Sequence, residues 1–101
     1  DEIENELYFI VLEALNNVLK HSKAQHVHIN LGKENDFIIL EIADDGVGFD
    51  PKTVKSGMGL TSMRERANRI GGALQIQSDS ESGTRIIMKV RLPEGENDRE
   101  D

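Results

Sequence analysis

Three short stretches of the chain combine residue types that carry chemistry. The first, DDGVGF at 44–49, sets two acids against two glycines directly after FIILEIA, an apolar run that reads as a strand. Side chains alternate along a strand, so Ile38, Leu40 and Ile42 share one face and Asp44 continues it. The carboxylate is aimed at the interior, where a charge without donors is costly. Backbone N–H groups of its own turn satisfy it, and so does the exocyclic amine of a bound base. Gly46 and Gly48 put no side chain beside it, which allows backbone and a flat ligand to approach closely.

The second stretch is EALNNVLKH at 13–21, where Glu13, Asn17 and Lys20 fall at i, i+4 and i+7. On a helix turning about 100° per residue these form one stripe bordering the apolar face, while Asn16 points away from it. Asn is unfavourable in mid-helix and competes for backbone bonds. Its amide oxygen suits a hard cation such as Mg²⁺, which takes a few protein ligands and fills the rest with phosphate and water; Lys20 suits the phosphates. An i,i+4 polar network on a solvated flank uses the same residues. The third stretch, GMGL at 57–60, leads into a helix whose free N–H groups and dipole favour an anion. It also reads as an ordinary helix start. There is no GK[ST] of a Walker loop, and Pro51 follows DGVGFD where a dinucleotide fingerprint needs a helix.

The elements that must position these residues are legible from period. Apolar residues from Ile3 to His21 recur at three and four, a long amphipathic helix; from His26 to Leu31 the period is two, with Val27, Ile29 and Leu31 on the buried side. GKEND predicts a turn, and Phe37 to Ala43 a strand covered on much of both faces. Residues 46–59 hold four of the nine glycines and one of the two prolines, so a mobile loop is expected, most mobile from about Asp50 to Met58. Helical period returns from Leu60 through Met63, Ala67 and Ile70, stopped by Gly71 and Gly72. Leu74–Ser78 and Thr84–Leu92 alternate as a hairpin closed by DSESG. The expected fold is α+β, with two helices on one face of a largely antiparallel sheet.

A length of 101 residues predicts one domain. Residues 94–101 are too polar to pack and are expected to be a disordered acidic tail. The net charge of −7 sits at the ends: residues 1–6 and 94–101 each carry −4, leaving +1 between them. No unopposed basic run with interleaved aromatics exists, so nucleic acid is excluded as an expected partner. Absence of cysteine removes disulfides and thiolate metal sites and fits a reducing, cytoplasmic setting. No apolar stretch approaches the roughly 20 residues of a membrane span, and the acidic start is unlike a signal peptide, so a soluble domain without membrane contact is expected.

Taken together, the three stretches resemble the nucleotide-binding domain shared by DNA gyrase, heat-shock chaperone ATPases, sensor histidine kinases and MutL, the GHKL superfamily with its Bergerat fold. EALNNVLKH looks like the N box, DDGVGF the first glycine box and GMGL the second, a match over about residues 4–93. GMGLTSMRERANRIGGALQIQSDSESGTRIIMKVRLP is similar to the sensor histidine kinases that pair with NarL-type response regulators: a short lid, no phenylalanine box, MRERA after the lid, GG before a strand and GT opening the last strand.

The resemblance implies a two-layer α/β sandwich over residues 1–93, with a mixed, mostly antiparallel sheet covered on one face by helices. It implies ATP and Mg²⁺ as cofactors. Asp44 would bond the adenine amine, Gly46 and Gly48 border the base, Phe49 line its pocket and Thr84 sit near the adenine edge. Asn17 would ligate Mg²⁺, with Lys20 and His21 near the phosphates, and Gly57, Met58, Gly59 and Leu60 would form the lid end. Glu13, which activates water in gyrase-like relatives, would here order the metal shell. The function implied is transfer of the γ-phosphoryl group to a histidine on a separate dimerisation domain, and then to a response regulator receiver domain. His26 and His28 alternate outward on a strand and His21 lies in the N box, so none is read as the acceptor. The chain is expected to be the catalytic fragment of a longer kinase and a monomer by itself. An anti-sigma-factor serine kinase shares the N-box pattern, but the GG-strand-GT-strand ending argues against it. A non-catalytic ATP-binding module would not need Asn17, Lys20 and Asp44 together.

Overall fold

A computed structural model describes residues 2–47, 59–79 and 81–92. Helix α1 (Glu2–Asn17) passes directly into a five-residue π-helix, Val18–Ser22. Strands β1 (Val27–Glu34) and β2 (Phe37–Asp44), helix α2 (Leu60–Arg69), and strands β3 (Ala73–Asp79) and β4 (Gly83–Arg91) follow. The four strands form one antiparallel sheet in the order β1-β2-β4-β3. Two helices on one face make it a two-layer α+β sandwich, as the sequence leads one to expect; every pairing among the described strands is antiparallel.

The core is built by period. Leu7, Ile10 and Ala14 of α1 and Met63 and Ala67 of α2 pack on Leu40 and Ile42 of β2 and Ile86, Met88 and Val90 of β4. Glu2 and Glu4 sit in the first turn of α1, where the helix dipole favours acids. Lys23, in the left-handed conformation at φ 57°, ends the π-helix. Gly71 and Gly72 stop α2 in a Schellman motif, with Gly72 N–H on Ala67 O at 2.8 Å and Gly71 N–H on Asn68 O at 3.1 Å.

Glu6 is buried and holds the helices together, its oxygens 3.1 Å from Arg66 Nη1 and 3.5 Å from Arg69 Nη1. Such a pair is costly to desolvate, and its value lies in fixing how α2 seats on α1. Arg66 also stacks on the Phe9 ring, 4.0 Å from its centroid.

Three expectations are corrected. GKEND is not all turn: β1 runs through Gly32, Lys33 and Glu34, leaving Asn35 and Asp36 as the hairpin tip, with Asn35 at φ 56°. Ile29 and Leu31 do share the inner face, in register with Ile42 and Leu40, yet they are 44% and 65% exposed. β1 is an edge strand, and the helices, which lie over β2 and β4, cover it only in part. The second face of β2 is only half covered, because among the described residues no helix or strand lies over it. Its apolar residues are shielded by neighbouring side chains, among them Lys89, whose Nζ lies 4.5 Å from the Phe37 ring centroid.

Candidate functional site

One row of residues crosses the end of the sheet: Val27 opposite Asp44, Asp44 opposite Thr84, Thr84 opposite Ser78. All four point to the helix side, one step beyond the core row of Ile29, Ile42, Ile86 and Ile76. Asp44 is half-buried, as its period required, and its Oδ1 accepts the Gly46 N–H at 2.8 Å. Both readings of this acid are therefore compatible. It caps its own turn with one oxygen, and the second oxygen carries acceptor capacity for a ligand. Gly46 is itself buried against this turn. Thr84 is buried, and its hydroxyl pairs with Ser78 Oγ at 2.7 Å.

Gly83, at φ +85°, opens β4 beside Asp44. A Cβ there would overlap the Asp44 carbonyl oxygen and come within 3.1 Å of Asp45 Cα. Only glycine lets the two backbones approach this closely. Sequence reasoning passed over Gly83, Ser78 and Asp45; the GT pair and the doubled Asp were the available signals.

The N box reaches the same end of the sandwich. Ile3 and Leu7, at the start of α1, share a cavity with Leu31, Ile38 and Leu92 at the opposite end of the sheet. From there α1 advances about 15 Å to Asn17, while β2 advances about 20 Å to Asp44. Asn17 is half-buried where the α-helix widens into the π-helix, a geometry that recurs at functional sites. Lys20 is exposed, within the π-helix that follows Asn17.

Glu13 meets the second glycine stretch directly. Gly59 precedes α2 at φ +66°, and a Cβ there would lie 2.5 Å from Glu13 Oε2 and 2.8 Å from Glu13 Cδ. The carboxylate thus packs on the N-terminus of α2, where the dipole and the free N–H groups favour an anion. Gly59 O accepts from Met63 N at 3.0 Å, and Gly59, the N-cap, has no side chain with which to cap the helix. Leu60 is half-buried behind it. On its other side Glu13 borders a groove between α1 and α2 with Phe9, Leu12, Leu19 and Arg66.

Asp45 closes the turn from outside. Its Oδ1 accepts the Gln25 and His26 N–H groups at 2.8 and 2.9 Å, and its Oδ2 lies 2.8 Å from His26 Nδ1. The hydrogen bond from the His26 ring, then those from the His26 and Gln25 backbone, hold its carboxyl down at about 2. Gly48, Phe49, Gly57 and Met58 fall outside the described residues, as do the lid from about Asp50 to Met58 and the tail at 94–101; the side chain of His21 is likewise not described.

A two-layer domain with an inward acid at a strand end, a glycine turn after it and a second glycine at a helix start is the architecture of Bergerat-type nucleotide-binding domains. A family model, Histidine kinase-, DNA gyrase B-, and HSP90-like ATPase, matches residues 2–94, and the chain belongs to that family.

The chain is 46% identical to the sensor histidine kinase LiaS of Bacillus subtilis, over 97% of this chain and 28% of that protein. It is 38% identical to the signal transduction histidine-protein kinase/phosphatase DegS of Brevibacillus brevis, over 91% of this chain and 24% of that protein. It thus spans about a quarter of these relatives. The ATP binding domain of PrrB from Mycobacterium tuberculosis shares the fold at a TM-score of 0.75 and 22% identity, covering 88% of this chain and 68% of that one. The histidine kinase domain of Erythrobacter litoralis EL346 blue-light activated histidine kinase does so at 0.78 and 19%, covering 90% and 45%.

Proposed function

We propose that the chain is the Mg-ATP-binding catalytic domain of a two-component sensor histidine kinase, spanning residues 1–93. It would present the γ-phosphoryl group to a histidine on a dimerisation domain outside this chain. The observation that carries the reading is the strand-end row in which half-buried Asp44 faces the helix layer beside buried Thr84, with Gly46 and Gly83 adding no side chain next to it. A carboxylate there accepts a hydrogen bond from the adenine amine, and the Thr84 hydroxyl, oriented by Ser78, stands next to it. Phe49 would flank the base, Gly48 would border it, and the lid from Gly57 to Leu60 would close over the phosphates.

The residues present fit a magnesium ion bound together with the nucleotide. Among the described residues no group of three His, Cys, Asp or Glu forms a self-sufficient metal cage. The Asn17 amide oxygen offers one hard ligand to an ion that takes phosphate and water for the rest. Bound there, Mg²⁺ supplies neutralisation of charge shared between the phosphates. Lys20 and His21 would attract the phosphate chain, and Glu13 would hold the N-terminus of α2 against the N box.

In the transfer itself, an imidazole nitrogen of the acceptor forms a bond to the γ-phosphorus as the bond to the β–γ bridging oxygen breaks. ADP leaves, and the imidazole proton passes to a base on the acceptor's domain. The chain's contribution is positioning and charge stabilisation. The phosphoryl group would pass onward to the receiver domain of a response regulator, of NarL type by the resemblance. A cytoplasmic location and a monomeric state for the isolated domain complete the proposal.

Calorimetry tests it: Mg-ATP should bind, GTP more weakly and ATP without Mg²⁺ more weakly still, and a supplied dimerisation domain should then acquire phosphohistidine. Equal binding of ATP and GTP, or ATP binding with no transfer to any supplied dimerisation domain of a close relative, overturns it.

A further inference from the structure

Asp45 has no part in the nucleotide contacts just described, yet it bonds two segments that are distant in sequence. It accepts from Gln25 N–H, His26 N–H and His26 Nδ1, and its own N–H donates to His26 O at 3.3 Å. The His26 side chain is 72% exposed and that of Asp45 49%. An ion pair so open to water adds little stability. What four hydrogen bonds between two short segments supply is a fixed geometry.

The two segments give that geometry its meaning. Asp45 directly follows Asp44, whose carboxylate is already committed in direction by the Gly46 N–H. On the second side, Gly83 lets the β4 backbone press on the same turn. On the third side, Gln25 and His26 lie three and four residues beyond the π-helix Val18–Ser22, which begins next to Asn17 and carries Lys20 and His21. The hydrogen bonds of Asp45 with Gln25 and His26 join the turn at 45 to this N-box exit.

We infer that Asp45, through Gln25 and His26, is a positioning residue of the nucleotide site, setting the distance between the base-reading carboxylate of Asp44 and the helix end that would hold metal and phosphates. This rests on the proposed function. Without the clamp, a nucleotide cannot satisfy both ends at once, and the loss falls on base discrimination as well as on affinity. Replacement by Asn keeps an acceptor for the two backbone N–H groups and gives up the charged bond to the His26 ring.

Calorimetry of the chain with Mg-ATP and Mg-GTP, alongside thermal melting, tests this. Asp45→Ala should weaken Mg-ATP about tenfold, the loss expected for a charged hydrogen-bond set, and should lower the ATP-over-GTP preference of the folded protein. Asp45→Asn and His26→Ala should each lower that preference about threefold, and the two together no further, since they remove the same bond. A merely structural role would lower the melting temperature and leave the preference unchanged. Wild-type preference for ATP that survives intact in Asp45→Ala overturns the inference and leaves the proposed function standing. If Asp45→Ala does not fold, unchanged preference in both Asp45→Asn and His26→Ala overturns it equally. A wild-type chain that binds no ATP removes the proposed function and this inference together.

Discussion

At the scale of single residues, the proposed function gives Asp44 the base and Asn17 the metal. Asp44→Asn keeps the shape and the turn-capping oxygen but loses the charged acceptor. Bonds to a charged partner are worth roughly 1.5 to 3 kcal/mol, so ATP affinity should fall about tenfold or more while GTP affinity changes little. Titration of both nucleotides into both proteins checks this. Asn17→Ala should abolish the Mg²⁺-dependent part of ATP binding and leave the melting temperature nearly unchanged, because the amide stands half-buried at the margin of the core. Binding measured with and without Mg²⁺ decides it; unchanged affinity for Mg-ATP would sink the metal assignment.

Among the elements, the close meeting of β4 with the end of β2 has the least tolerance. Gly83→Ala combines a left-handed φ, costing about 1 to 2 kcal/mol for any other residue, with overlap on the immobile Asp44 backbone. Urea denaturation should show a larger loss than for Gly59→Ala, whose obstacle is the movable Glu13 side chain. Two carboxylates at this end of the sheet, one on each side, also predict a pH response. Asp45 closes the β1–β2 end, and Asp79 closes the β3–β4 hairpin by accepting from Glu81 N–H, Ser82 N–H and Ser82 Oγ. Both carboxyls are held below their usual range, Asp79 by the Ser82 backbone and hydroxyl and by Glu81, and Asp45 at about 2 by His26 and Gln25. A depressed folded pKa means that the stabilisation is complete above the unfolded value of 3.8 and is lost as pH falls through the folded value, which for Asp45 is about 2. Melting temperature followed from pH 5 to pH 2 should decline less steeply in a double Asp45→Asn, Asp79→Asn variant.

For the molecule as a whole, nucleotide binding and phosphotransfer should be separable. Under the proposed function the chain would supply residues for nucleotide, metal and lid, and it spans about a quarter of its sensor-kinase relatives. Alone it should bind Mg-ATP without phosphorylating itself or hydrolysing ATP appreciably, since no in-line nucleophile is provided. A dimerisation domain added in trans should restore transfer only weakly, because the tether that raises effective concentration is missing. Mass spectrometry at neutral to alkaline pH checks this, and stable phosphate on His21, His26 or His28 would overturn it.

What could be read from the chain alone was whatever depends on local period and residue type. The inward aim of Asp44 follows from counting by two along FIILEIA, the half-buried place of Asn17 from counting along α1, and the stop after Arg69 from Gly71 and Gly72. These properties belong to each segment, and folding did not alter them. Tertiary structure decided everything that depends on which segments meet. Ile29 and Leu31 have the right face but lie on an edge strand that the helices cover only in part. Lys20 lies within a π turn, which a uniform helical count does not contain. Glu13 lies against Gly59, Gly83 against the Asp44 backbone and Asp45 against His26, pairs separated by 19 to 46 residues of chain. No periodicity encodes such pairs, because their proximity comes from packing two helices on one sheet.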